Sequence, residues 1–186
     1  SLELAREKHT DVSFVEMGAE QLSFEDKSFD AASISMALHH LPDISKSFAE
    51  MKRVLKPGAW IIVSELFSDN LNPAQEVHKL YHHFRSSIDR VLAISHNKTF
   101  KKDEILQMVK EAGIDIQLQF EFESEHNPVL TKEDIRERVA KLHTMLDSIK
   151  GYLEYELFRP KIDEFQERVI KYGFQPATRV VIVGKV

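Results

Sequence analysis

His39 and His40 stand side by side at the end of the run Ser35-Met36-Ala37-Leu38-His39-His40. The preceding stretch, Asp30 to Met36, is built of small and β-branched residues and predicts a β-strand, so the pair sits where a strand ends. Imidazole titrates near neutrality, and either ring could orient a substrate or take a proton from it. The plainer alternative is that one ring packs against the following helix and the other is solvated. Glu65 ends a second expected strand, Trp60 to Ser64. It could receive a substrate amine or hydroxyl, or serve as an N-terminal acid of the next segment. Ligands of open α/β sheets bind outside the carboxyl ends of the strands, which draws His39, His40 and Glu65 to one rim.

His78, His82 and His83 fall on one expected helix, and His96 follows in the break after it. His78 and His82 are four apart and share a helix face, a spacing that can bind a metal, with Glu76 as a nearby carboxylate. A zinc-protease signature needs Glu directly after the first His, where Lys79 stands. The ligand set is incomplete, so no metal is expected. These rings, with Tyr81 and Phe84, read as the wall of a substrate cavity under a helical cover, or as solvent-facing. Cysteine is absent, which excludes disulfides, thiol catalysis and Cys-ligated zinc.

The elements that must position these residues follow from periodicity. Residues 2–9 read as a helix. Val12 to Met17 reads as a strand closed by Gly18, and Asp30 to Met36 as the next. Pro42 blocks further pairing and Asp43 can cap a helix, carried by Ile44, Phe48, Met51 and Leu55 and stopped by Lys56-Pro57-Gly58. Trp60 to Ser64 has the near-continuous apolar run of a central strand. A long helix follows Asn72-Pro73, and another spans Lys102 to Ala112 with Gly113 as its cap. Ile114 to Phe122 alternates with period two, as a half-exposed strand does. Helices are expected from Thr131 and near 161–172, and Arg179 to Val183 closes as a strand. This alternation predicts an α/β fold around a mainly parallel sheet, whose final hairpin-like strand pair would run antiparallel to the rest in some such folds.

The chain has 186 residues, 42% hydrophobic and 30% charged, with a net charge of −5. That is enough for one domain with a real core. The negative balance and scattered Lys and Arg argue against a nucleic-acid grip. No apolar run approaches the roughly 18 residues needed to span a bilayer. No export signal is recognisable, so a cytoplasmic location is expected.

Three blocks carry a resemblance: GAEQLSFEDKSFD, then SISMALHHLPD, then SFAEMKRVLKPGAWIIVSE. Together, from Val12 to Glu65, they resemble the class I S-adenosylmethionine-dependent methyltransferases of the small-molecule type. The resemblance implies a Rossmann-like sheet of order 3-2-1-4-5-7-6 and S-adenosylmethionine as cofactor. It implies that Gly18, Ala19 and Glu20 meet the adenine, and that Met36 and Ala37 lie beside the methyl donor. His39 and His40 would then be catalytic, with Glu65 and His96 at the substrate.

That family opens with a strand and a Gly-rich turn, then a second strand ending in a ribose-holding acid. Here no two glycines lie within two residues of each other. The chain is therefore expected to be a carboxy-terminal portion of such a domain, a single unit over 1–186, lacking the first two strands. Helical insertions near 73–95 and 131–172 would form a cap. The parent would transfer a methyl group to a small molecule, and the chain alone would bind the cofactor weakly. The competing expectation is a non-catalytic methyltransferase-like module that acts by association. Strand 30–36 would be left as an uncharged open edge, predicting a homo-oligomer with strands 12–17 or 30–36 at the contact.

Overall fold

A computed structural model describes residues 2–123 and 129–186. The elements in chain order are α1 (Leu2–Lys8), β1 (Phe29–Ser35), a 3₁₀ turn (Leu38–His40), α2 (Ile44–Val54), β2 (Leu55–Leu66), α3 (Pro73–Val91), α4 (Lys102–Glu111), β3 (Asp115–Phe122), α5 (Lys132–Asp147), α6 (Glu154–Tyr172) and β4 (Arg179–Lys185). The strands form one sheet of order β1-β2-β4-β3. This is the 4-5-7-6 portion of the sheet that the resemblance implies.

The sheet is not mainly parallel. β1 runs parallel to β2, whereas β4 lies antiparallel to both β2 and β3. The parallel step is the one that encloses a crossover helix, α2. β2 is longer than the apolar run WIIVS because its ladder with β4 continues through Leu66↔Arg179. At its start Lys56-Pro57-Gly58 is absorbed by a register shift against β1, which lets Pro57 sit in a strand without a missing ladder bond.

Residues 12–17 do not form a strand. Among the described residues β1 pairs only with β2, so this segment finds no ladder, and Val12 and Val15 stay exposed. Local β-propensity cannot hold an extended segment that lacks hydrogen-bonding neighbours. A second correction concerns the last helix, which begins at Glu154 and runs through Pro160. Proline costs about 3 kcal/mol inside a helix, but here the buried face of Ile162, Phe165 and Val169 holds the helix in place.

Two cores result. One lies on a single face of the sheet, where Phe48 of α2 and Ile105 and Val109 of α4 cover Ile61, Val63, Val180 and Ile182. The other belongs to a helical layer: Val77, Phe84 and Ile88 of α3 pack with Leu142 and Leu146 of α5 and Ile162, Phe165 and Val169 of α6. These helices form the expected cap. The opposite face of the sheet carries Trp60, Ile62, Leu118, Phe120 and Phe122, all exposed. No helix of the described residues is long and apolar enough to cross a membrane.

Candidate active site at the strand ends

The chain leaves β1 through Met36, whose φ of 54° puts a non-glycine residue in the left-handed region. Such backbone strain is held only where surroundings enforce it, and here the Met36 N–H donates to the Ser64 carbonyl at 2.8 Å. The turn aims Leu38–His40 across the end of β2. There Glu65 is 1% exposed, and its carboxylate accepts from the Leu38 N–H (2.8 Å), the Leu66 N–H (2.9 Å) and His39 Nδ1 (2.9 Å). An ionised carboxylate can only accept, so His39 carries its proton on Nδ1 and keeps a bare lone pair on Nε2.

His96 comes from the segment after α3. That segment is tied to the turn by the Asn97 N–H, which donates to the His39 carbonyl at 2.7 Å. It is tied to the end of β2 by a Phe67↔Phe100 bridge. Asp89, on the last turns of α3, accepts from His96 Nδ1 at 2.6 Å, which again leaves Nε2 bare. Burial lowers the pKa of His96 despite the opposing pull of Asp89.

His82 reaches down from α3, with its Nε2 3.3 Å from Nε2 of His96. Its Nδ1 is buried without a hydrogen-bond partner. Burial, then the neighbouring His39 and His96, push its pKa down to about 2. His40 is exposed on the outer side, its ring 4.3 Å from that of His39 and 4.2 Å from that of His96. Desolvation, then His39, lowers its pKa.

The structure therefore brings His39, His40, Glu65 and His96 together. Both Glu65 oxygens accept hydrogen bonds from this chain's own donors, His39 among them. Gly18, Ala19 and Glu20 form a separate turn. Ala19 packs on the sheet core, and Glu20 accepts from the Asp43 N–H at the start of α2 (3.3 Å). The following loop is clamped by Arg53, which donates to the Leu22 and Phe24 carbonyls and to Asp26. His78 leaves the group: its Nδ1 accepts from the Ala177 N–H at 3.1 Å and its ring meets Phe174 edge-on. Sequence reasoning missed Asp89. It lies seven residues from His96 across a helix end, a separation that carries no local signature. A cavity of about 720 Å³ between α2 and α4 contains none of these histidines.

Residues 1–63 match the family described as a methyltransferase domain. The chain is similar to demethylmenaquinone methyltransferase of Staphylococcus haemolyticus, at 30% identity over 126 residues, covering 60% of this chain and 53% of that protein. It is also similar to the ubiquinone/menaquinone biosynthesis C-methyltransferase UbiE of Proteus mirabilis, at 37% identity over 86 residues, covering 43% and 34%. The chain thus spans between about a third and a half of the length of these relatives. Among solved structures it resembles a methyltransferase-like protein of Bacillus halodurans, with a TM-score of 0.60, 20% identity, and 99% of this chain and 78% of that chain covered. It resembles the [4+2]-cyclase SpnF as well, with a TM-score of 0.55, 16% identity, and 99% and 60% covered. At these identities the structural likenesses establish the fold alone, and the cyclase illustrates that one fold carries different chemistries.

Proposed function

From the premise that residues 1–63 carry a methyltransferase domain sequence on a class I methyltransferase sheet, we propose that the protein serves S-adenosylmethionine-dependent methyl transfer to a small molecule. The acceptor in this reading is a small ring compound bearing an ionisable hydroxyl, as in a hydroquinone or phenol, whose deprotonation activates the oxygen or the adjacent ring carbon for attack. The names of the curated relatives, which concern demethylmenaquinone and ubiquinone/menaquinone, support that class.

The observation that carries the reading is the His39–Glu65 pair at the strand ends. Gly18, Ala19 and Glu20 would hold the adenine, and Met36 and Ala37 the methionine end. Glu20 spends only one carboxylate oxygen, Oε1, on Asp43. The bound cofactor supplies an activated methyl on a sulfonium. The bare Nε2 of His39 accepts the acceptor's proton, and Glu65 stabilises the imidazolium that forms. His96, oriented by Asp89, and His40 line the same space. The cap keeps this junction dry, and in-line attack then depends on alignment.

The test joins these 186 residues behind the amino-terminal portion of the Staphylococcus haemolyticus relative, of which this chain covers 53%. The joined protein and the chain alone are given methyl-labelled S-adenosylmethionine with hydroquinone, phenol and amine acceptors. Labelled hydroquinone or phenol from the joined protein supports the reading. No transfer to any acceptor from either form contradicts it.

A further inference from the structure

We propose that His39, His82 and His96 form a three-nitrogen site for a divalent metal ion of the zinc class, with a fourth position open to an exogenous oxygen ligand. The three rings come from three elements: the 3₁₀ turn, α3 and the segment after it. One nitrogen from each lies within 4.8 Å of the others. His39 and His96 are buried and His82 is half-buried.

The spacing fits an ion. Two imidazole nitrogens bound to tetrahedral zinc at about 2.0–2.1 Å stand roughly 3.3–3.4 Å apart. Nε2 of His82 and Nε2 of His96 are 3.3 Å apart already. Bringing His39 from the 4.8 Å bound to the same spacing takes a shift of at most roughly 1.5 Å.

The groups behind the rings fit as well. A metal-bound histidine donates its other ring N–H to a carboxylate or carbonyl, which fixes the tautomer and aims the lone pair. Glu65 holds Nδ1 of His39 and Asp89 holds Nδ1 of His96. Both leave Nε2 bare, and the two carboxylates together balance a doubly charged ion. His82 has no such partner on Nδ1; its Nε2 shares a hydrogen bond with the bare Nε2 of His96, so an ion seated between the two nitrogens takes the place of that proton, which moves to the vacant Nδ1. With no thiol in the chain and both carboxylates spent on histidines, the donor set is all nitrogen. Such sets suit zinc and its neighbours rather than magnesium or calcium. Three protein ligands with one open position is the catalytic rather than the structural pattern.

The ion's binding needs no part of the methyl-transfer reading. Its consequence does rest on that reading: the open position would take the acceptor's oxygen, whose proton leaves to solvent as the ion stabilises the anion, so with the ion bound the Nε2 lone pair of His39 is spent on the metal and the ion takes over the deprotonation assigned above to His39.

The test titrates the purified 186-residue chain, stripped with chelator, with cobalt(II) alone. We expect one equivalent bound, the visible bands of tetrahedral cobalt, and bleaching of those bands by zinc. His82→Gln should abolish the bands, and Asp89→Asn should weaken affinity by about 10- to 100-fold. His78→Gln should leave affinity within about twofold, since His78 is hydrogen-bonded elsewhere. Thermal unfolding of each variant separates lost ligation from lost folding. A folded His82→Gln chain without bands supports the site. No tetrahedral bands in the wild type, or bands unchanged in a folded His82→Gln chain, overturns it.

Discussion

At one end of β2, Glu65 lies buried under His39 with His82 and His96 close by, and a few residues earlier on the same strand Trp60 and Ile62 face water. The first region buries polar groups and satisfies nearly all of them from within the chain: two backbone N–H groups and an imidazole on Glu65, and Asp89 on His96. The second exposes apolar groups and covers them only in part. Lys185 lies over the Trp60 ring and Arg179 over Phe122, at 4.5 and 4.6 Å. Buried polar groups are costly unless paired, so the junction must be complete within the chain. An exposed apolar face costs less per residue and can be covered by association. The contrast separates what this chain organises internally from what it leaves exposed.

The sharpest way to break the junction is Glu65→Leu. It strands two backbone donors and the His39 ring in a dry site, and stability should fall by about 3–5 kcal/mol. Urea unfolding measures this, and a loss below about 1 kcal/mol would show that the junction is not the closed network described.

Acid should weaken the cap that roofs the junction. Burial, then Arg138, holds His78 down to about 4, whereas a free imidazole titrates near 6.5. Above about 6.5 neither state is protonated and stability is full. As pH falls towards 4 the unfolded chain takes up protons that the folded chain refuses, so stability is lost, on the order of 3 kcal/mol from this group. His83, held to about 4 by burial and then Lys98, adds a loss of the same sign. His78→Gln should flatten the fall in unfolding midpoint between pH 6.5 and 4, and an unchanged slope would remove His78 from the account.

The open face is expected to pair with a second copy, alongside the unpaired edge of β1. Trp60→Thr combined with Phe120→Thr should shift sedimentation from dimer or larger to monomer and change monomer stability by about 1 kcal/mol or less. A monomeric wild type at high concentration would contradict this.

Much of the sheet was legible from its apolar patterns: the run in β2 marks burial, whereas the alternating apolar residues of β3 lie on the exposed face. WIIVS and the alternation of 114–122 became β2 and β3, and the resemblance implied their order. Segment 12–17 has the composition of a strand, but composition does not supply a partner. The last helix is expected from the sequence only near 161–172, and packing of residues far along α6 lets it begin earlier, at Glu154, and run through Pro160. At the site, His39, His40, Glu65 and His96 could be named from strand-end position and family likeness. The pairing of His82 with His96 rather than with His78 could not. It depends on the rotation of α3, which is set by Val77, Phe84 and Ile88 docking into the cap, and on a loop that returns His96 beneath the helix.

The most direct test of methyl transfer at the histidine junction is the rate of S-adenosylhomocysteine formation by the joined protein, wild type against His39→Gln. Loss of the Glu65-backed imidazole should lower kcat by about 100-fold or more while KM for S-adenosylmethionine stays within about twofold. A kcat equal to wild type would contradict the account.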